Sequence, residues 1–490
     1  MAHSQSPSTA TAFNSLPIEL NKAIAHELHD DKDIAAYKAT CRATNDAIDA
    51  DNLSFWRAKY REKYDFKAGP SNLNLRRVYQ RRSRLFKYGL RYKFHYGTHQ
   101  GERQVINMIK DMIIESYQGA TEVDEHGRLR CKNHAHIVDF ILKSHILNND
   151  RRAPETQNGK MAYIDDGLAA VRLMCSQFIF NLEGLRHDVF AFEDSQHAVY
   201  LSSDKERLFT GVDHNKLNLR WMLHAMNFFR HHMMNEDAQT LFDRIDELDI
   251  TQKPSAWREQ LTDGAKPLSR YWKGTYSFLE NIEVQKLRKQ GPGRQVFIDK
   301  NVDEGKIQVD FQLGMAFTNP TDHMQSLELA FAEDSRLPDG RELPWPPVFE
   351  DRLRSLGKDA GKQQGIKTQG RNTAPKATTG GSIQFEGKGE DLDDEYKALG
   401  WLNPLPPQGG VPGWQRITFM KHFTEDYDHP NEDNLWAYEG VVLPGGRIIL
   451  GRWWFASEPG RNDMEYNGPF ILWAVDEPDF DEDISDDEGA

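Results

Sequence analysis

Leu16-Pro17-Ile18-Glu19-Leu20, followed at four-residue steps by Ile24 and Leu28, is the stretch from which the rest of this 490-residue chain is best read. Apolar residues at these intervals line one face of a helix. Pro17 suits the first helical turn, where its missing N–H costs no hydrogen bond, and Glu19 lies near the positive end of the helix dipole. After the acidic break at Asp30-Asp31, a second helical segment runs through Ile34, Tyr37 and Lys38 to Cys41-Arg42, and a third carries Phe55-Trp56-Arg57 and Tyr60. Three short helices in about fifty residues leave more apolar surface than so small a module buries by itself, so a partner surface is expected.

The length exceeds what one core serves and predicts two to four domains. A net charge of −14 argues against a general polyanion binder. Three widely spaced cysteines, Cys41, Cys131 and Cys175, imply no disulfide framework and fit a reducing, cytoplasmic or nuclear compartment. The N-terminus has neither the basic start nor the apolar run of a signal peptide, and no apolar stretch approaches the roughly 20 residues that span a bilayer. A soluble protein without membrane attachment is expected.

A basic stretch follows, from Arg57 to Lys93, interleaved with Tyr60, Tyr64, Tyr79, Phe86, Tyr88 and Tyr92. Such interleaving occurs on nucleic-acid surfaces, but cationic side chains lying along helices whose aromatics face a core explain it as well. From Glu102 to about Asp263 the apolar period is mainly helical, as in Val105, Ile106, Ile109, Met112 and Ile113, or Leu168, Val171, Met174 and Cys175. The segment Asp188 to Leu201 reads as a short strand or hairpin. This middle region is expected to be an α-rich connector between the ends of the chain.

From Tyr271 the period changes to two, the strand signal. Candidate strands are Tyr271 to Leu279, Gln295 to Asp299, Lys306 to Leu313, Ser382 to Phe385, Gln415 to His422, Trp436 to Val442, Arg447 to Trp454 and Pro469 to Val475. Pro444-Gly445-Gly446 between two of them is a hairpin turn, since glycine supplies the positive φ that tight turns require. Many antiparallel strands with frequent glycine suggest closure into a barrel. The expected fold is therefore multidomain α+β, with three N-terminal helices over 13–64, a helical region over 65–267 and an antiparallel β-barrel over 268–476. An apolar-poor insertion at 352–381 and an acidic tail at 477–490 are expected to be disordered.

The ordered set Leu16-Pro17, Leu20, Ile24, Leu28, Asp33-Ile34, Cys41-Arg42 and Phe55-Trp56 resembles an F-box, the adaptor-binding module of SCF-type ubiquitin ligases. Tyr37 departs from the pattern, which has an aliphatic residue there. The resemblance implies that Leu16, Pro17, Leu20, Ile24, Leu28, Cys41, Arg42 and Trp56 serve a Skp-type adaptor that bridges to a cullin. Some of these positions face the module's own core, and the sequence does not separate the two sets. The succession Trp272-Lys273-Gly274, Phe385-Glu386-Gly387, Trp436-Ala437-Tyr438 and Gly468-Pro469-Phe470 looks like the C-terminal barrel of some fungal F-box proteins and is similar in outline to calycin barrels. The Gly-x-Trp of a lipocalin first strand is absent, because Trp272 precedes Gly274.

Catalytic patterns are sparse. Cys131, His134 and His136 lack an evident fourth metal ligand, His224, His231 and His232 lie on a Met-rich helix, and no phosphate loop or nucleophile elbow is present. No catalytic residue, metal or cofactor is expected. Tryptophans in the barrel region, Trp401, Trp414 and Trp454 among them, are candidates for an exposed rim that anchors a protein substrate. The reading is an F-box substrate receptor for an unknown protein, with a small-ligand-binding barrel as the alternative.

Overall fold

The computed structural model describes residues 13–125, 127–148, 156–157, 160–161, 164–182, 189–201, 206–211, 215–236, 240–292, 296–299, 325–330, 383–391, 394–425, 429–455 and 467–476. The expected insertion at 352–381, the tail at 477–490 and the candidate strand Lys306 to Leu313 lie outside these residues. The chain forms two compact units. The first comprises 1–92, 99–144 and 258–260, and the second 93–98, 145–257 and 261–490. The helical region over 65–267 is therefore not one domain: its first part shares a core with the N-terminal helices, and its remainder packs with the strands. No helix among the described residues is long and apolar enough to cross a membrane.

The first unit contains α1 (Ile18–Glu27), α2 (Asp31–Thr40), α3 (Arg42–Lys63), α4 (Asn72–Gly89), α5 (Gln100–Glu115) and α6 (Lys132–Lys143). Helix α3 is broken in the middle, where Asp51, Asn52 and Leu53 all have positive φ. The stripe Val105, Ile106, Ile109, Met112 and Ile113 is buried, as are Ile137, Phe140 and Ile141. Several basic and aromatic side chains of 57–92 are satisfied inside the unit. Arg82, 2% exposed, bonds Glu115 at 2.8 Å and lies over the rings of Tyr60 and Tyr64. Lys63 and the Tyr79 hydroxyl both donate to Asp31, at 2.7 and 2.5 Å. Burial alone would raise the Asp31 pKa, but hydrogen bonds from Lys63, Ser83 and Tyr79 hold it below the usual value.

Burial acts alone on His134 and lowers its pKa to about 3. In an unfolded chain the imidazole takes its proton near pH 6.5. The unfolded state therefore binds the proton first, and stability falls as pH drops from about 6.5 towards 3. His136 and His224 shift in the same direction, with burial the first cause of each. Melting temperatures are expected to decline from about pH 7 to pH 5, before most carboxylates titrate, and His134→Gln is expected to give a shallower decline.

The second unit contains α7 (Asp166–Ser176), α8 (Phe192–Val199), α9 (Leu219–Met234), α10 (Thr240–Glu247) and α11 (Asn281–Gln290), together with the barrel. Asp188 to Leu201 is thus not a strand or hairpin. Glu193 and Asp194 sit in the first turn of α8, and Ser195, Gln196, Ala198 and Val199 are buried at helical spacing. The segment Gln295 to Asp299 forms no ladder where it is described. The carboxamide of Gln196 takes the place of a neighbouring strand, accepting from Phe297 N at 2.9 Å and donating to Phe297 O at 2.6 Å.

Eight strands follow one another around the barrel in chain order, every neighbour antiparallel, and the last pairs with the first. They are β1 (Tyr271–Tyr276), β2 (Gln325–Ala330), β3 (Ile383–Asp391), β4 (Asp394–Pro404), β5 (Gln415–Glu425), β6 (His429–Val442), β7 (Ile448–Phe455) and β8 (Asn467–Ala474). The turn between β6 and β7 is the expected hairpin, with Gly445 at φ +93° and Gly446 at φ +68°. Strands β2 and β4 were not foreseen, because neither carries the β-branched or aromatic alternation that marks the others.

One cross-strand row runs Tyr276, Phe470, Gly451, Gly440, Ile417, Leu402 and Ile383, and alternation from it defines the inward face. Inside, the rings of Phe419 and Tyr438 stack at 4.5 Å and Tyr438 meets Phe470 edge-on at 5.1 Å. Glycine makes room for them: a Cβ on Gly400 would lie 2.5 Å from both Phe385 and Phe419. Gly400→Ala is expected to destabilise the barrel by about 1–3 kcal/mol through overpacking, measured by denaturant unfolding. The outward residues Ile448, Leu450, Ile471 and Trp473 are also buried, with α9 packing against β7 and β8. Burial of both faces explains the near-continuous apolar runs in these strands.

Candidate functional site

The N-terminal helices separate the two sets of residues that the sequence left mixed. Pro17 stands at the N-cap of α1, where its carbonyl accepts from the N–H groups of Leu20 and Asn21, and Glu19 lies in the first turn. Asn21 and Ala25 face inward. The Asn21 carboxamide donates to Phe13 O at 3.1 Å, and the Tyr37 hydroxyl donates to Asn21 Oδ1 at 2.9 Å. Tyr37 therefore anchors α1 to α2, since its hydroxyl reaches a buried amide that an aliphatic side chain would leave unpaired. Lys59, 1% exposed, closes the other end by donating to His26 O at 2.8 Å and pairing with Glu62 at 2.9 Å.

With α1 held in this way, an apolar face is left open. Leu20 is 51% exposed, Ile18 40% and Ile24 36%. Pro17 is exposed, and Leu16 and Leu28 are half-buried. Leu20 and Ile24 are four residues apart and neighbours on the helix surface. Ile18 was missed by the sequence reading; its place between Pro17 and Glu19 off the main apolar stripe gave no periodic signal. Cys41 is half-buried at the N-cap of α3, its N–H donating to Thr44 Oγ1 at 3.2 Å, and Arg42 beside it is exposed. Hydrogen bonding to the sulfur, first from the Thr44 backbone N–H, lowers the Cys41 thiol pKa.

Trp56 does not belong to this face. It is 5% exposed, meets Phe55 and Tyr79 edge-on at 5.4 and 5.6 Å, lies under the Arg76 guanidinium and aims its Nε1 at Asp49. Its role is to fasten α3 to α4 within the first unit. Among the barrel tryptophans, Trp401 and Trp414 are fully buried, so neither is on an exposed rim. Trp401 faces outward on β4 opposite Thr418, and the Trp414 indole donates to Val411 O at 2.9 Å. Trp454 is half-buried on the outer side of β7, while its neighbour Trp453 points into the barrel.

No protein-family model, curated protein or solved structure matches this chain.

The histidine and cysteine groups have packing roles. Cys131 donates to Asp65 Oδ2 at 2.8 Å, His136 Nε2 lies 3.0 Å from Lys63 O, and His134 meets Tyr117 edge-on. His224 stacks on Phe190 and His231 on Phe192, each at 3.9 Å. Among the described residues no cluster of three or more His, Cys, Asp or Glu side chains is arranged to hold a metal.

Proposed function

We propose that this chain is a substrate receptor of an SCF-type ubiquitin ligase. The open face formed by Pro17, Ile18, Leu20 and Ile24, flanked by Leu16, Leu28, Cys41 and Arg42, takes a Skp-type adaptor that leads to a cullin. The observation that carries this reading is the exposure of Leu20 and Ile24 on a helix whose opposite side is pinned by buried polar contacts. Apolar side chains in adjacent helical positions, held rigidly at the surface, supply anchors at little entropic cost to a binding partner.

The mechanism is proximity. Holding a bound protein near a charged conjugating enzyme raises its effective concentration at the thioester, so this chain contributes binding and orientation rather than a nucleophile or base. The barrel is the candidate for substrate capture. Its ring-filled interior, where Phe385, Phe419, Tyr438 and Phe470 are buried against one another, favours recognition on the outside over storage of a small ligand.

Affinity purification of the full chain from its own cell extract, beside a Leu20→Asp/Ile24→Asp version, tests the assignment. A Skp-type adaptor and a cullin are expected in the first eluate and not in the second, with other captured proteins common to both. Recovery of neither from the unaltered chain would contradict it.

A further inference from the structure

We infer that a cleft in the first unit binds a phosphorylated peptide segment, through three arginines whose charges have no acidic partner. The cleft measures about 560 Å³. Arg57, Arg61 and Glu62 of α3 form one wall, Asp65 and Phe66 lie beneath, and Glu122, Arg130 and Lys132 belong to the other wall. Asp65 ties the two sides together, accepting from Cys131 Sγ at 2.8 Å, Tyr117 N at 3.0 Å and Lys132 N at 3.2 Å.

Charge accounting within the cleft leaves a surplus of one sign. Glu122 is paired with Lys132 at 3.1 Å and Glu62 with Lys59 at 2.9 Å, while Asp65 keeps its charge, because the donors that fill it are neutral. Arg57 has only neutral partners: it donates to Pro70 O at 2.7 Å and to Asn72, and its guanidinium lies over the Phe66 ring at 5.4 Å. The side chains of Arg61 and Arg130 make no hydrogen bond or ion pair among the described residues. Three guanidinium groups without an ion-pair partner, against the one unpaired carboxylate of Asp65, leave the cleft net positive in a chain of net charge −14, which is an anion-binding arrangement.

The guanidinium fork matches the oxygens of a phosphate group in bidentate fashion, and a phosphate monoester brings close to two negative charges at neutral pH. Nucleic acid fits less well. A polynucleotide needs a track of cations along a repeating backbone, whereas Glu62 and Glu122 here interrupt the positive surface on both walls. A peptide with one phosphorylated side chain places its charge at a point and tolerates those carboxylates. The inference rests on the cleft alone and does not depend on the adaptor reading.

The test uses the full chain against two immobilised degenerate peptide mixtures, identical except that one has phosphoserine and the other serine at the fixed central position. Retention is expected on the phosphoserine mixture only, with weakening as salt is raised and competition by inorganic phosphate. Arg61→Gln/Arg130→Gln, at two exposed positions without partners, is expected to keep the melting temperature and lose about tenfold or more in affinity for the selected phosphopeptide. Leu20→Asp/Ile24→Asp is expected to bind it normally, whichever way the adaptor experiment falls. Equal retention on both mixtures, retention on neither, or unchanged affinity of the arginine variant would overturn the inference. Preference for a labelled single-stranded oligonucleotide over the phosphopeptide would also overturn it, in favour of nucleic acid.

Discussion

Leu20→Asp with Ile24→Asp is expected to abolish measurable binding of a Skp-type adaptor while leaving the fold intact. Leu20 is 51% and Ile24 36% exposed, and neither is among the buried residues of α1, so replacing them costs less packing than a core substitution. The contacts that hold α1 lie on its other side, at Asn21, Ala25 and the Lys59 bond to His26 O. Truncating an anchor at the centre of an interface costs about 2 kcal/mol or more, and a carboxylate desolvated there costs more still. Together the pair should lose at least about 4 kcal/mol, roughly a thousandfold in Kd. Titration calorimetry gives the loss, and an unchanged melting temperature excludes unfolding as its cause. Retained binding would mean that the adaptor uses another surface.

The second large effect lies in the barrel. Trp453 is 2% exposed, points inward and meets Tyr276 at 5.3 Å and Trp436 at 5.4 Å, with its Nε1 donating to Ser277 O at 3.3 Å. Trp453→Ala removes a large buried indole from that cluster together with its hydrogen bond to Ser277 O. The expected cost is about 3–5 kcal/mol, as for other buried aromatic truncations. Trp454→Ala, one residue along on the outer side, is expected to cost less, because that indole is only half-buried. Denaturant unfolding of the two variants side by side checks the inward and outward assignment of β7. Equal losses would contradict it.

Much of the architecture was legible in periodicity. The helical stripe from Val105 to Ile113 and the alternation around Pro444-Gly445-Gly446 both lie where the structure has a helix and a hairpin. Strand β4 was not legible, because Asp394-Glu395-Tyr396-Lys397-Ala398 lacks β propensity and gains its pairing only from β3 and β5. The segment around α8 failed for the opposite reason: Val189-Phe190-Ala191-Phe192 and Ala198-Val199-Tyr200-Leu201 read as strands, while the polar residues Ser195 and Gln196 that are buried in the helix between them gave no apolar helical period.

The candidate site was half legible. Leu20 and Ile24 could be named from spacing, but not their exposure, which depends on Asn21 and Tyr37 meeting across α1 and α2. Trp56 was misassigned because a large aromatic near the end of a small module looks like an interface residue until a fourth helix is seen to cover it. Trp401 and Trp414 were expected on a rim because their burial does not show in the sequence. The placing of Arg61 and Arg130 on one cleft was invisible, since these residues are far apart in the chain and their surroundings meet through Asp65 and the Lys132 bond to Arg61 O.

The most direct measurement is hydrogen–deuterium exchange of the full chain with and without a purified Skp-type adaptor. The account predicts that the adaptor slows exchange in residues 16–28 and around Cys41-Arg42, with the barrel strands unchanged. No complex at adaptor concentrations well above micromolar, or protection confined to segments away from α1, would contradict it.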